Sequence, residues 1–287
     1  MAFGDATRQA IFGQPEWLRA VPTERRLPPG RILHTGCGTS FHAAQTGGDA
    51  AQALELVLRP RTAHALVLVS HEGDTHLTLE AAQAFDGPRW LVTGKPGSPL
   101  GELCEEVVVA TPDVEQSWCH TASYTSAVAA IAALHGQDVS WLPDAVEEVL
   151  RGDRLPVSEH ERWLVAGAGR DWPTAQEAVL KLREGAFVAA EVHHTEQLLH
   201  GYLAAVDESV RCFVLEGEGR AAERAAGAAA ALKELGCDVT LVPTSHPVVD
   251  IVPFQLLTLD LAAARGVDPD RIRRDDPIWE RASEAYD

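Results

Sequence analysis

The chain has 287 residues, of which 46% are hydrophobic and 23% charged, which is enough for about two domains with apolar cores. It carries 24 Lys and Arg against 42 Asp and Glu, a formal net charge of -18. This acidic balance excludes a typical nucleic-acid binder and disfavours an anionic membrane surface, because both partners attract basic proteins. Lysine is rare and occurs only at Lys95, Lys181 and Lys233, so a lysine inside a motif rarely stands there by chance.

The cysteines and the apolar runs bear on location. The five cysteines are scattered and contain no Cys-x-x-Cys pair, which predicts reduced thiols in the cytoplasm. We find no apolar run near the ~20 residues of a membrane span. The N-terminus lacks the basic-then-apolar plan of a signal peptide. We therefore expect a cytoplasmic protein with no membrane partner.

The first half predicts alternating strands and helices. Residues 5–20 are predicted as a helix broken near Gly13 and Pro15, followed by a proline-rich connector. Short apolar runs predict strands at 31–35, 65–70, 89–93 and 106–110. Helices are predicted from 40 to about 56, from 74 or 75 to 85, and from about 117 to 134. Continuous apolar strands between helices indicate a parallel sheet covered on both faces.

A helix predicted at 144–151 ends the first half, and a polar linker follows near residues 152–158. The same pattern then begins again, with strands predicted at 162–166, 211–215 and 238–242 and helices at 174–187, 221–235 and 254–265. Strand, glycine turn and helix occur twice, about 130 residues apart, which indicates an internal duplication. The predicted organisation is an N-terminal helical segment at 1–28, a first domain at 29–152 and a second at 153–287.

A glycine-rich turn ends the first strand. Residues 36–40 read Gly-Cys-Gly-Thr-Ser; this is not a Gly-x-Gly-x-x-Gly turn, because Phe41 occupies the third glycine position, nor a P-loop, because it lacks Gly-Lys-Ser/Thr. The start of the following helix suits an anion or a hydroxyl-rich ligand. An ordinary β–α turn with a Ser/Thr cap explains the same pattern.

Several stretches together carry a family resemblance. They are residues 36–44, the loop 70–75 (Ser-His-Glu-Gly-Asp-Thr), the segment 115–125, the helix 178–184 (Ala-Val-Leu-Lys-Leu-Arg-Glu) and the segment 190–201, which ends in Leu-His-Gly. This set resembles the double-SIS (sugar isomerase) domain family, especially the isomerase domain of glucosamine-6-phosphate synthase. The resemblance covers nearly the whole chain and implies an α/β fold of two tandem SIS domains, each a parallel sheet flanked by helices in a flavodoxin-like three-layer sandwich.

The resemblance also implies an activity. Stand-alone proteins of this type include sugar-phosphate isomerases, amino-sugar deaminases and fructosamine-phosphate deglycases. We expect a sugar aldose–ketose isomerase, deaminase or deglycase that works through an enediol or enolamine, as a homodimer, with a small-molecule sugar derivative and no cofactor. The alternative is a non-catalytic carbohydrate-binding or regulatory SIS protein.

Three residues are the predicted catalytic set. By resemblance, Glu184 moves a proton between C1 and C2, and His200 opens the sugar ring. Lys181 lies three residues before Glu184, so both project from one face of a helix. Taken alone, that pair is usually a surface ion pair; the matching segment around His200 favours catalytic placement.

The ligand-holding set is drawn from the turns and loops of the first half. It comprises Cys37, Gly38, Thr39, Ser40, Ser70, His71, Glu72, Thr75, His120 and Thr121.

Glu72 is the main departure from the family pattern, since it replaces a serine in the loop expected to hold phosphate. A carboxylate there opposes a phosphate because like charges at ~4 Å repel by ~4 kcal/mol at an effective dielectric of 20. Either Glu72 points away, or protonated His71 and His120 offset it, or the ligand lacks a phosphate. A metal held by these three residues is a fourth option, without motif spacing. The adjacent pair at 193 and 194 is a poor metal site, because neighbouring side chains diverge. No metal is predicted.

The C-terminal tail also departs from the family pattern. The family tail carries a lysine that reaches the active site. Here Pro277 stands near that position and no lysine follows. Arg273 or Arg274 could supply positive charge but not an imine, so covalent imine chemistry would fall to Lys181 or be absent.

Overall fold

The computed structural model describes residues 3–285, and within that range two four-stranded parallel sheets form, one in each half of the chain. The first sheet has its strands in chain order: β1 (Ile32–Thr35), β2 (Ala65–Val69), β3 (Arg89–Thr93) and β4 (Glu106–Val109). The second sheet contains β5 (Arg162–Gly167), β6 (Ala189–His194), β7 (Val210–Leu215) and β8 (Asp238–Val242), in the order β6-β5-β7-β8. The α/β fold with parallel sheets is therefore confirmed.

Helices connect the strands, because a parallel pair needs a crossover that returns the chain to the starting edge. The first half contains α1 (Asp5–Arg19), α2 (Thr39–Gln45), α3 (Ala53–Leu58), α4 (His76–Ala84), α5 (Pro99–Leu103), α6 (Ala122–Leu134) and α7 (Leu142–Arg151). The second contains α8 (Trp172–Ala186), α9 (Thr195–Leu199), α10 (Arg220–Glu234), α11 (Pro247–Asp250), α12 (Val252–Arg265) and α13 (Pro277–Ser283).

The two halves share one hydrophobic core. Every residue of α6 is buried, as expected for a helix made mostly of alanine and larger apolar residues, with no charged residue on any face. Its Tyr124 and Ile131 belong to the same buried cluster as Trp163 and Phe254 of the second half. Burial of each large apolar side chain contributes about 1.5–3 kcal/mol. This shared core fixes α8 of the second half against α2 of the first.

The first predicted helix is not broken. It runs unbroken from Asp5 to Arg19 with Pro15 inside it. Proline has no backbone N–H, so the carbonyl of Ile11 loses its usual donor. The side-chain amide of Gln14 replaces that donor at 2.9 Å from the Ile11 oxygen. This substitution explains why the expected break is absent.

The second predicted helix, by contrast, is two helices. α2 ends at Gln45 and α3 begins at Ala53. Gly47 and Gly48 fall in the gap; Gly48 has a φ of 102°, and a Cβ on Gly47 would lie 2.3 Å from the His34 ring. The chain instead makes a parallel bridge between His34 and Ala50 at the free edge of β1.

Other boundaries differ because tertiary contacts override local pattern. α6 begins at Ala122 rather than near 117. β6 was missed because it is a half-exposed edge strand that reads Ala-Ala-Glu-Val-His-His, without a continuous apolar run. The short helices α5 and α13 were also not predicted.

One stretch, Pro247–Arg265, is long and apolar enough to cross a membrane by length and composition, although the sequence inspection identified none. In the structure 67% of it is buried. Its largest side chains, such as Phe254 and Leu257, belong to the shared core. This is the setting of a core helix in an α/β fold.

Candidate functional site

A cavity of about 420 Å³ opens at the carboxyl ends of the first sheet's strands, the usual ligand position in open parallel sheets. Its walls come from the turn after β1, the loop after β2, the segment before α6 and the C-terminal tail. Eight of the predicted binding residues line it: Cys37, Thr39, Ser40, Ser70, His71, Glu72, Thr75 and His120. Gly38 and Thr121 do not line the cavity.

The turn after β1 supplies one wall. Gly38 has a φ of 54°, which glycine adopts without strain. Ser40 lines the cavity, and its hydroxyl has no hydrogen-bond partner among the described residues. Thr39 differs, because its hydroxyl donates to Glu177 at 3.2 Å and accepts from Lys181 at 3.2 Å. Burial raises the pKa of the Cys37 thiol, which keeps it protonated.

The loop after β2 forms a second wall of the cavity. The Ser70 hydroxyl accepts from the backbone N–H of Gly73 at 3.1 Å and lies 3.4 Å from the Thr75 hydroxyl. Thr75 precedes α4 but makes no side-chain cap. Glu72 is half-buried at the cavity and has no hydrogen-bond or ion-pair partner among residues 3–285. Asp74 adds a second, exposed carboxylate.

The two histidines of the cavity are held neutral. His71 Nε2 accepts from the backbone N–H of Glu115 at 2.9 Å, and burial lowers the pKa of His71. Burial also lowers the pKa of His120 to about 4, although the nearby Glu115 carboxylate opposes that shift. The two rings meet edge to face with centroids 5.5 Å apart. Protonated imidazoles therefore do not offset Glu72, and the nitrogen that His71 uses as an acceptor is not free for a metal.

Glu115 organises the segment before α6. Its buried carboxylate accepts from the Thr121 N–H at 2.7 Å and hydroxyl at 2.9 Å, and from the Ser123 N–H at 2.8 Å. A carboxylate suits a helix N-terminus, where backbone N–H groups lack partners. This contact delays the start of α6 and draws Thr121 away from the cavity.

Arg274 of the tail is the one guanidinium that lines the cavity within the described residues. Its Cζ lies 3.7 Å from the ring centroid of Trp118, a cation–π contact. Trp118 also donates its backbone N–H to the Asp270 carbonyl at 3.1 Å. The Asp270 carboxylate in turn accepts from the N–H groups of Ala6 and Thr7 at the start of α1, so the tail is anchored.

A buried ionic network lies beside the cavity on α8. Lys181 is fully buried, with Nζ 3.3 Å from Glu177 Oε1 and 2.9 Å from Glu184 Oε2. Nζ also donates to the Thr39 hydroxyl and to the backbone carbonyls of Cys119 and His120. Burial acts to lower the pKa of Lys181, but the two carboxylates outweigh it and raise that pKa. Lys181 is therefore a fixed ammonium, unsuited to forming an imine.

The two carboxylates of this network have opposite properties. Glu177 is fully buried and bonded to His42 Nδ1 at 2.7 Å; burial acts to raise its pKa, but Lys181 and His42 outweigh burial and lower it. Glu184 keeps 27% of its side chain exposed. Burial raises the pKa of Glu184 despite the opposing charge of Lys181. A carboxylate with a raised pKa and solvent access is suited to accept and return protons.

The backbone around His120 helps to hold this lysine. His120 has a φ of 40°, an uncommon conformation for a residue with a side chain. In this conformation both its own carbonyl and that of Cys119 accept from Lys181. Backbone strain of this kind persists only where surrounding contacts enforce it, and it concentrates at functional sites.

His200 does not join the other predicted catalytic residues within this chain. It follows α9, is 69% exposed and is bonded to Glu196 at 2.9 Å. Glu196 also pairs with Arg224 of α10. His200 lines no part of the cavity. His193 and His194 likewise lie away from it, and no cluster of three His, Cys, Asp or Glu fit for a metal occurs among residues 3–285.

Sequence reasoning left several site residues unassigned: His42, Glu115, Trp118 and the role of Glu177. The i,i+4 spacing of Glu177 and Lys181 was the available signal. His42 lies on the helix that the glycine turn opens, one turn from Thr39. The contact of Trp118 with Arg274 joins positions far apart in the chain and has no local signature.

A family model described as SIS domain matches residues 157–267. The glutamine–fructose-6-phosphate aminotransferase (isomerizing) of Gloeobacter violaceus is 27% identical over 85% of this chain and 50% of its own length. That of a Thermus thermophilus strain is 30% identical over 71% of the chain and 42% of its own length. The chain thus spans about half the length of the curated relatives it matches.

Solved structures share the fold across almost the whole chain. The C-terminal domain of glucosamine-fructose-6-phosphate aminotransferase from Francisella tularensis has a TM-score of 0.80 at 19% identity, covering 94% of this chain and 98% of that one. The tagatose-6-phosphate ketose/aldose isomerase of Escherichia coli has a TM-score of 0.76 at 17% identity, covering 94% and 95%. The chain therefore contains an SIS domain at residues 157–267 and is homologous to glutamine–fructose-6-phosphate aminotransferases over about half of their length.

Proposed function

We propose that the protein is a sugar isomerase, deaminase or deglycase that moves a proton between C1 and C2 of a sugar derivative, with Glu184 as the base. The observation that carries this proposal is the Lys181–Glu184 pair on α8, joined through Thr39 and His120 to the cavity wall. A base must be unprotonated to act yet basic enough to take a carbon-bound proton. The raised pKa of Glu184 suits that task.

Lys181 serves this chemistry as a positioning and charge-stabilising group. Its ammonium holds one oxygen of Glu184 at 2.9 Å and stabilises negative charge that develops on an enediol or enolamine. Four further contacts fix its orientation, to the Glu177 carboxylate, the Thr39 hydroxyl and two backbone carbonyls of the wall. A lysine held protonated in this way supplies no covalent imine, so the C1–C2 step is a proton transfer with no bond to the protein. In a deaminase or deglycase, water then adds to the substrate's own C=N bond and the amine leaves.

The proposed assembly is a homodimer whose site takes the ring-opening histidine from the partner. Glu184 lies on α8 beside the cavity without lining it, and His200 is exposed and outside the cavity. In the proposed dimer, each cavity receives the partner's His200. A mixture of Glu184→Gln and His200→Asn variants would then form mixed dimers with one intact site, and recover about a quarter of wild-type activity. No recovery on mixing would contradict the shared site.

We also propose two SIS-type domains, the first at 29–152 and the second at 153–287, with an N-terminal helical segment at 1–28. The glycine turn after β1 corresponds to the turn after β5. The parallel bridge at Ala50 lies beside β1 in the same position that β6 occupies beside β5. This correspondence supports a duplication. We propose a cytoplasmic location and a mechanism without a cofactor.

Hydrogen exchange in deuterated water tests the activity. The purified protein is incubated with a broad panel of aldoses, ketoses, amino sugars and their phosphates, and deuterium at C1 and C2 is measured by NMR. We expect label from at least one compound, and a loss of more than ~100-fold in Glu184→Gln, since general base catalysis contributes that much. Glu223→Gln, the same change on the exposed face of α10, should leave the rate unchanged.

The outcomes separate the two candidate functions. The absence of label from every compound would refute the isomerase proposal. If compounds of the panel also stabilise the protein against heat without turnover, the non-catalytic binding function would replace it. The observation that favours this second function is Glu72, which lines the cavity and has no partner among the described residues.

A further inference from the structure

The charge of the cavity differs from that of a phosphate site. Its charged lining residues are Glu72, Asp74 and Arg274. His71 and His120 add no positive charge, because His71 Nε2 is an acceptor and both rings are buried. Two carboxylates and one guanidinium leave a net charge of about -1 before any ligand binds. A phosphate group would add roughly a further -1.5 to -2 at neutral pH.

Arg274 does not reverse this balance. The face of its guanidinium lies on Trp118, 3.7 Å from the ring centroid. This stacking leaves the in-plane N–H groups free, but one positive charge balances only one of the two carboxylates that line the cavity. The N-terminus of α4 does not reverse it either. Its positive end already follows a loop with two carboxylates, Glu72 and Asp74, which suit the helix dipole. A second anion would face those carboxylates.

Glu72 itself has the properties of a ligand-binding acceptor. Glu72 lines the cavity, is half-buried as a residue and has no hydrogen-bond or ion-pair partner among the described residues. Its carboxylate oxygens are therefore free to accept from a ligand. Both hydroxyl and ammonium groups of sugars supply the donors, and an ammonium adds a favourable charge. Ser40 and Ser70 add neutral hydroxyls to the same cavity.

We propose that this cavity binds an unphosphorylated sugar derivative, whose hydroxyl or ammonium groups donate to Glu72, and that Glu72 excludes phosphate. The inference rests on the proposed function, because it names the substrate class of the same site. Glu72 lies in the loop between β2 and α4, which forms one end of the cavity. In this proposal it is the residue that discriminates between unphosphorylated and phosphorylated sugars. Arg274 balances part of the carboxylate charge when no ligand is bound.

Binding of matched sugar pairs tests this proposal independently of turnover. Glucosamine is compared with glucosamine 6-phosphate, and fructose with fructose 6-phosphate, by titration calorimetry on the full chain carrying Glu184→Gln. We expect an unphosphorylated sugar to bind at least tenfold more tightly than its phosphate. Glu72→Ser should shift that ratio at least tenfold toward the phosphate. Glu72→Gln, which keeps the side-chain size, should shift it in the same direction.

Two further variants sharpen the result. Glu55→Gln, on the exposed surface of α3, removes a carboxylate outside the cavity and should leave the ratio unchanged. Arg274→Gln tests the rival in which the guanidinium holds a phosphate. Tighter binding of a phosphate by the parent chain that carries Glu184→Gln, abolished when Arg274→Gln is added, would overturn the proposal. So would an unchanged ratio in both Glu72 variants, or no binding of either unphosphorylated sugar by the parent chain. Because none of these readouts requires catalysis, they stand apart from a failure of the isomerase activity.

Discussion

Replacing Lys181 with methionine isolates the energetic role of the buried network on α8. Methionine keeps most of the apolar stem but removes the ammonium that lies 3.3 Å from Glu177 and 2.9 Å from Glu184. Glu177 is fully buried and would keep only His42 and Thr39 as partners among the described residues. Breaking a buried ion pair by removing one partner costs about 3–5 kcal/mol, because the remaining charge stays buried without compensation.

The loss should depend on pH with a definite sign. Lys181 holds the pKa of Glu177 low in the native state, against the opposing effect of burial. A carboxyl group whose pKa is lowered on folding stabilises the folded state at pH values above the pKa that the group has in the unfolded chain. That stability is lost as the pH falls through the pKa of the folded state. Without Lys181, burial raises the pKa of Glu177, so the carboxyl group can protonate in the folded state. The deficit of Lys181→Met should therefore be larger at pH 8 than at pH 5.

Urea unfolding followed by circular dichroism measures this deficit at both values of pH. Adding Glu177→Gln to Lys181→Met should recover about 0.5–3 kcal/mol, because the double variant buries one fewer unpaired charge. Lys233→Met changes an exposed lysine on α10 and should alter the free energy of unfolding by less than about 0.5 kcal/mol. A deficit below about 1 kcal/mol for Lys181→Met, or one independent of pH, would refute this account of the buried network.

Three more predictions concern individual side chains. Gln14→Leu removes the amide that bonds the Ile11 carbonyl below Pro15, together with its hydrogen bonds to Gln255 and Thr125. It should cost about 1–3 kcal/mol of unfolding free energy, measured in urea; an unchanged midpoint would contradict this role. The pKa of His120 is about 4, so its imidazole should stay neutral from pH 8 to pH 5.5 by ¹⁵N NMR, and a midpoint near the ordinary value would contradict its burial. The rate of any turnover should rise with pH through the pKa of Glu184, which burial holds above the ordinary 4.5; a rate that falls over that interval would exclude Glu184 as the base.

Several elements could be predicted from local sequence because their cause is local. The strands β1–β5, β7 and β8 are short, largely apolar runs, and the sequence predicts each of them to within two residues. The edge strand β6 was missed, since only one of its six residues is buried and its pattern is half-polar. The predicted break in α1 was wrong, because Gln14 replaces the donor that Pro15 lacks. Such a compensation depends on a side-chain orientation that propensity does not encode.

The sequence by itself determined the α/β class, the strand–turn–helix repeats and the position of most cavity-lining residues on loops after strands. These follow from apolar periodicity and glycine positions, which act over a few residues. Only the tertiary structure decided which charges meet. Three features depend on segments that are distant in the chain and on the exclusion of water. They are the neutral state of His71 and His120, the contact of Arg274 with Trp118 and the burial of Lys181. Burial and opposing charge set the ionisation of a group, and both are properties of the packed chain.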